Sequence, residues 1–127
     1  MNNPEKLGYT KSHEWVDFVD ETTAIVGLTD YAQKSLGDLV FVDLPSVGAE
    51  TQAGVSFANV ESVKAVSDVF CPVSGIVCAV NEALLDAPEQ INEDPYGAWI
   101  AKIENVSAKE EMMTADEYAR FVESEEK

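Results

Sequence analysis

Two β-capable runs, Val55-Ser56-Phe57-Ala58-Asn59-Val60 and Ala65-Val66-Ser67-Asp68-Val69-Phe70, flank a short polar-centred break, Glu61-Ser62-Val63-Lys64. Runs rich in Val, Phe and Ser around so short a break close most simply as a β-hairpin, with Lys64 near its tip. The break lacks Asn-Gly or Gly-Gly, so the hairpin rests on its flanking runs rather than on turn chemistry.

The same grammar governs most of the chain. Val16-Asp17-Phe18-Val19 and Thr23-Ala24-Ile25-Val26 surround the polar Asp20-Glu21-Thr22 and predict a second hairpin. Thr29 offers an N-cap, Asp30 suits a first helical turn and Gly37 a stop, which predicts a short helix from Asp30 to Leu36. Leu39-Val40-Phe41-Val42 follows as a strand ended by Leu44-Pro45. Pro72-Val73-Ser74-Gly75 predicts a turn before the strand Ile76 to Val80. Asn81 is placed to cap a short helix from Glu82 to Leu85, Pro88 and Pro95 bracket a loop, and Trp99 to Ile103 is the expected last strand.

The tail changes character. Ser107-x-x-Glu110 and Thr114-x-x-Glu117 both fit a capping box, and Tyr118, Phe121 and Val122 share one face at helical spacing. A helical tail over about 108–125 is expected, packed through that face, with Glu123 to Lys127 fraying. Many short strands plus one helical appendage predict a mainly β barrel or sandwich, and 127 residues without a linker suit a single domain over 1–127.

Charge narrows the partners. With 24 acidic residues against 8 basic ones the net charge is -16. That surface repels nucleic-acid phosphates and anionic lipid, so no nucleic acid and no membrane is expected as a partner. It favours encounter with basic docking faces, and it equally serves solubility. The N-terminal Met-Asn-Asn-Pro-Glu-Lys resembles neither a secretory signal nor an Arg-rich transit peptide, which predicts a soluble intracellular protein.

Catalytic motifs are missing. There is no Gly-x-Ser-x-Gly elbow, phosphate-binding Gly loop or His-Glu-x-x-His. Cys71 and Cys78 have no metal-ligand spacing and are expected to be small buried hydrophobes. His13, beside Glu14 and Trp15, is expected to be structural or superficial rather than a base. Lys64 is the odd residue: it sits among Val63, Ala65 and Val66, where its four-carbon stem would project the amine outward. That geometry suits covalent attachment of a swinging arm, although by spacing alone it is an ordinary exposed lysine.

The segment Glu61-Ser62-Val63-Lys64-Ala65-Val66-Ser67-Asp68-Val69 resembles the lipoyl-attachment segment of the glycine cleavage H protein family. Tyr9-Thr10, His13-Glu14-Trp15-Val16, Gly27-Leu28-Thr29, Ala32-Gln33 and Leu36 through Pro45 extend the likeness in order. Pro72-Val73-Ser74-Gly75, Asn81-Glu82, Pro88-Glu89 and Pro95-Tyr96-Gly97 carry it towards the end. One departure is visible: the family has Pro-Tyr, two residues, then Gly-Trp, and Pro95-Tyr96-Gly97-Ala98-Trp99 is one residue shorter.

The resemblance implies a flattened β barrel-sandwich of the lipoyl/biotinyl carrier type, with short helices and a C-terminal helical segment. It implies lipoate, covalently held on Lys64, and recognition of that lysine by lipoylating enzymes through Glu61, Val63, Ala65 and Gly75; turn and strand packing is an equal reading of those four. It further implies a non-catalytic carrier of the glycine cleavage system. Such a carrier shuttles the aminomethyl group of glycine from the P protein (glycine decarboxylase) to the T protein (aminomethyltransferase). The L protein (dihydrolipoyl dehydrogenase) then reoxidises it. The site would be the cytoplasm of a bacterial-type cell, or the mitochondrial matrix for a processed eukaryotic chain. Biotin carriers, with Met on both sides of their lysine, and the shorter lipoyl domains of 2-oxo acid dehydrogenases fit less well. A lipoate-relay scaffold using the same Lys64 stays open as the alternative.

Overall fold

The computed structural model describes residues 3–125. Its strands are β1 (Gly8–Tyr9), β2 (Glu14–Asp20), β3 (Thr23–Leu28), β4 (Leu39–Asp43), β5 (Glu50–Thr51), β6 (Val55–Ser62), β7 (Val66–Cys71), β8 (Val73–Val80) and β9 (Ala101–Lys109). The helices are α1 (Asp30–Leu36), α2 (Ala83–Asp86), α3 (Gln90–Glu93) and α4 (Ala115–Glu125). Two antiparallel sheets form, one in the order β1-β2-β3-β9-β8-β5 and the other β4-β6-β7. The expected mainly β barrel-sandwich with short helices and a C-terminal helix is what the chain adopts.

Alternation of side chains decides what lies between the sheets. Val26 from β3, Val42 from β4, Val60 from β6, Val69 from β7, Val77 from β8 and Ile103 from β9 are all buried in one cluster. Burying each such side chain contributes about 1.5–3 kcal/mol, so this shared layer holds the two sheets in fixed relation. The predicted helix forms over its expected residues: the Thr29 hydroxyl accepts the Ala32 N–H at 3.2 Å, and the Gly37 N–H closes on the Gln33 carbonyl at 3.0 Å.

Several boundaries move, each for a stated reason. The turn expected over Pro72–Gly75 shrinks to Pro72 alone, because Val73 and Ser74 pair with Lys109 and Ala108 of β9 and draw Gly75 into β8. The same pairing overrides the first capping box. Ser107 lies in β9, which starts at Ala101 rather than Trp99, and helix begins only at Ala115. There the second box is made in full: Thr114 N–H donates to Glu117 Oε1 at 2.9 Å, and Glu117 N–H to Thr114 Oγ1 at 3.2 Å. Asn81 is no cap. Its carbonyl accepts the Leu84 N–H, and α2 starts one residue later than expected without a side-chain cap. The loop between Pro88 and Pro95 contains α3, seated by the buried Ile91. Of the residues expected to fray, Glu123 to Glu125 are helical, and Glu126 and Lys127 lie outside the described residues.

A second, smaller core holds α4. Tyr118 and Val122 bury with Leu7, Tyr9 and Trp15, Phe121 packs against them, and the Tyr9 and Tyr118 rings stack with centroids 4.7 Å apart. Among the described residues no helix is long and apolar enough to cross a membrane.

Candidate attachment site at the β6–β7 tip

β6 and β7 pair from Val55↔Cys71 to Glu61↔Val66, which leaves Ser62 to Ala65 to turn the chain. One hydroxyl organises that turn. Ser62 Oγ accepts the Lys64 N–H at 3.3 Å and the Ala65 N–H at 3.1 Å, and donates back to the Ala65 carbonyl at 3.3 Å. The Ser62 N–H also donates to that carbonyl at 2.8 Å. A serine that satisfies amides two and three residues on replaces the missing Asn-Gly chemistry. The tip is fastened from outside as well: the Val63 N–H donates to the Asp38 carbonyl, 3.1 Å away between α1 and β4.

Lys64 is exposed, and its ammonium makes no hydrogen bond or ion pair among the described residues. Its stem lies beside Gly37: a Cβ placed there would sit 3.5 Å from Lys64 Cε. Gly37 adopts φ 84°, so this close, side-chain-free shelf is also a backbone conformation that favours glycine. Val63 is 72% exposed and Val66 68%, so the chain on either side of Lys64 presents apolar surface. The outer face of the small sheet continues it in rows of paired residues, Phe41–Glu61–Val66 and then Asp43–Asn59–Asp68.

Glu61, Val63 and Ala65 are brought to the tip with Lys64, all exposed. Gly75 is not in that sheet. It sits in β8, paired with Thr51, where a Cβ would lie 2.5 Å from the Glu104 carbonyl oxygen and 2.7 Å from Ile103 Cγ2. Three residues that shape the site went unremarked in the sequence. Ser62 carried a signal, a hydroxyl just before the turn. Asp38 acts through its carbonyl and so left none. Asn92, which binds the loop carrying Asp38, was hidden inside an apparent loop.

The remaining candidates resolve away from the tip. His13 has φ 72°; its Nδ1 lies 2.8 Å from Tyr118 Oη and its Nε2 2.9 Å from Glu125 Oε2. It ties α4 to the body. Burial pulls its pKa below the ordinary imidazole value, outweighing the pull of Glu125 in the other direction. Glu14 is fully buried, and its carboxylate accepts from Thr10 and Ser12 hydroxyls and from the Phe70 N–H; burial raises its pKa above the usual carboxylate value. Cys71 and Cys78 are free thiols, Cys71 buried and Cys78 half-buried. Among the described residues no three His, Cys, Asp or Glu side chains gather to hold a metal ion. The shortened turn after Pro95 closes on Asp94, whose carbonyl accepts the Ala98 N–H at 2.8 Å and whose carboxylate accepts the Gly97 N–H at 3.2 Å.

A sandwich of two antiparallel sheets that exposes Lys64 at the β6–β7 tip has the architecture of a carrier domain. The glycine cleavage H-protein family model matches residues 7–125, and the chain belongs to that family. A glycine cleavage system H protein of Lachnoclostridium phytofermentans is 64% identical over 95% of each chain. A probable glycine cleavage system H protein of Pyrococcus abyssi is 56% identical over 94% of this chain and 92% of its own. The crystal structure of a glycine cleavage system H protein from Mycobacterium marinum matches with a TM-score of 0.87 at 44% identity, over 93% of this chain and 97% of that one.

Proposed function

We propose that this chain is the lipoyl carrier of a glycine cleavage system and that Lys64 bears the lipoyl group. The observation that carries the reading is the setting of Lys64: exposed, unpaired, and held on a tip braced at Ser62 and Asp38. The site fits the group. An amide on Nζ removes the ammonium charge, which costs no ion pair here, and the Gly37 shelf leaves the stem unobstructed. When bound, lipoate supplies a redox-active disulfide on a long flexible arm that carries the aminomethyl group.

The chain's own residues supply attachment, reach and docking. Ser62 and the Asp38 carbonyl hold the base of the arm still, so the reach of the arm is measured from a fixed point. Val63, Ala65 and Glu61 present the lysine to lipoylating enzymes. Phe41 and Val66, with Asp43, Glu61 and Asp68 beside them, face the incoming P, T and L proteins. Each of those proteins must dock briefly and leave, and charge raises on-rate more than affinity. Catalysis belongs to those partners.

Reconstitution tests this. Lipoylated protein given glycine, tetrahydrofolate and NAD alone should turn over nothing; with P, T and L proteins added, glycine cleavage should rise with its concentration to saturation. Lys64→Ala should fold normally, since changes at such surface sites are usually within about ±0.5 kcal/mol, and should support no cleavage. Full cleavage with Lys64→Ala would overturn the proposal.

A further inference from the structure

Asn92 makes three side-chain hydrogen bonds to α1 and the segment that follows it, and none to Lys64 or its turn. Its Oδ1 accepts the Leu39 N–H at 2.9 Å, and its Nδ2 donates to the Gly37 carbonyl at 2.9 Å and to Gln33 Oε1 at 3.1 Å. Those contacts clasp the chain on both sides of Asp38, whose carbonyl takes the Val63 N–H. They also fix Gly37, on which the Lys64 stem lies.

We infer that Asn92 is a positioning residue for the modification of Lys64, holding the Gly37–Leu39 segment as a platform for the lysine and its turn. This rests on the reading of Lys64 as the lipoylated residue.

The physical case is one of stiffness at a distance. The α1–β4 connection is short, and Gly37 within it is conformationally free. Left alone it would fluctuate, and Val63 with it. A carboxamide is the one small side chain that both donates and accepts in one plane, so it satisfies a carbonyl and an amide two residues apart simultaneously. Asn92 is itself immobilised. It sits on α3, a helix too short to persist by itself, which Ile91 plugs into the core and Pro88 and Pro95, both buried, delimit. The path therefore runs from core to Ile91, along the chain to Asn92, by hydrogen bonds to Gly37–Leu39 and Val63, and along the chain again to Lys64. An enzyme that must seize a lysine amine finds it over a fixed base, which lowers the ordering cost of recognition.

Two measurements on Asn92→Ala, beside Glu93→Ala as an exposed control on the same helix, decide the matter. The first is amide hydrogen exchange, read at Val63 and Ala65 relative to Val60 and Val69 in the same molecule. Asn92→Ala should raise the Val63 rate about tenfold relative to Val69, the loss of roughly one hydrogen bond's protection. Glu93→Ala should leave the ratio unchanged. The second is lipoylation by a lipoate ligase with lipoate and ATP: KM for the Asn92→Ala protein should rise several-fold with kcat nearly kept. Asn92→Ser, too short to bridge Gly37 and Leu39, should raise the Val63-to-Val69 ratio likewise and replaces Asn92→Ala if that variant does not fold. An unchanged Val63-to-Val69 ratio, or an equal KM rise in Glu93→Ala, would overturn the inference. Should the native protein not be lipoylated at Lys64, the functional reading fails and the exchange ratio still judges the platform.

Discussion

The Val63 N–H and the Asp38 carbonyl oxygen, 3.1 Å apart, join the residue before Lys64 to the connection between α1 and β4. A hairpin tip is ordinarily the loosest part of a sheet. Here it is moored to a second element, so the lysine is exposed without being slack.

Modification should be confined to Lys64. After treatment with a lipoate ligase, peptide mapping should find one modified lysine, and a Lys64→Arg protein should carry none. A lipoyl group on any other lysine would contradict the exposed, braced setting as the basis of selection.

Ser62→Ala removes the acceptor for two amides and a donor to the Ala65 carbonyl. Because water reaches the tip, the stability loss should be modest, about 0.5–1.5 kcal/mol by urea unfolding. Lipoylation should slow by more than that loss accounts for, since the unfolded fraction stays negligible while the tip loses its shape.

Gly75→Ala should be costly. The added Cβ would meet the Glu104 carbonyl oxygen at 2.5 Å and Ile103 Cγ2 at 2.7 Å, neither of which is a flexible side-chain end. Overpacking of this kind costs about 1–3 kcal/mol, read as a lower urea midpoint. Lipoylation kinetics of the folded fraction would then separate a recognition role for Gly75 from strand packing.

His13 should make the fold acid-sensitive. Its folded-state pKa is depressed by burial, so the folded protein binds the proton less readily than the unfolded chain. Stability is therefore fully present above the unfolded value of about 6.5 and is lost as pH falls through the folded value. Asn tolerates the positive φ of this position, so urea unfolding of His13→Asn between pH 7 and pH 5 should lack that component of the decline.

If the acidic surface steers docking, apparent affinity of the lipoylated protein for the P protein should weaken as the Debye length shrinks from about 10 Å to about 3 Å. A flat response would assign the charge to solubility.

Local chemistry was legible where it was self-contained. Thr29 and Gly37 bound a helix by their own side chain and backbone, and the Val-rich runs around Lys64 closed as the expected hairpin. Thr114 and Glu117 announced the true start of α4. The equally good pattern at Ser107 and Glu110 failed because β8 offered Ala108 and Lys109 a ladder, a long-range bargain that no local motif records. α3 stayed invisible for a similar reason, since it depends on Ile91 finding the core. At the site, Lys64 was odd in its apolar setting but was singled out by the family resemblance of its segment, whereas Asp38 contributes only a carbonyl and every residue has one.

The two cysteines acquire a meaning from the proposed cargo. A disulfide tethered to a protein is exposed, over its lifetime, to every nucleophile its tether can sweep past, and attack by a host thiolate would end in a mixed disulfide and a dead carrier. Cys71 is fully buried and its thiol is pushed above the usual range by that burial, so the reactive anion is both scarce and walled in. Cys78 is half-buried, and its Sγ donates to the Lys102 carbonyl, 3.4 Å away. Burial thus withdraws Cys71 from any exchange with the visitor on the arm.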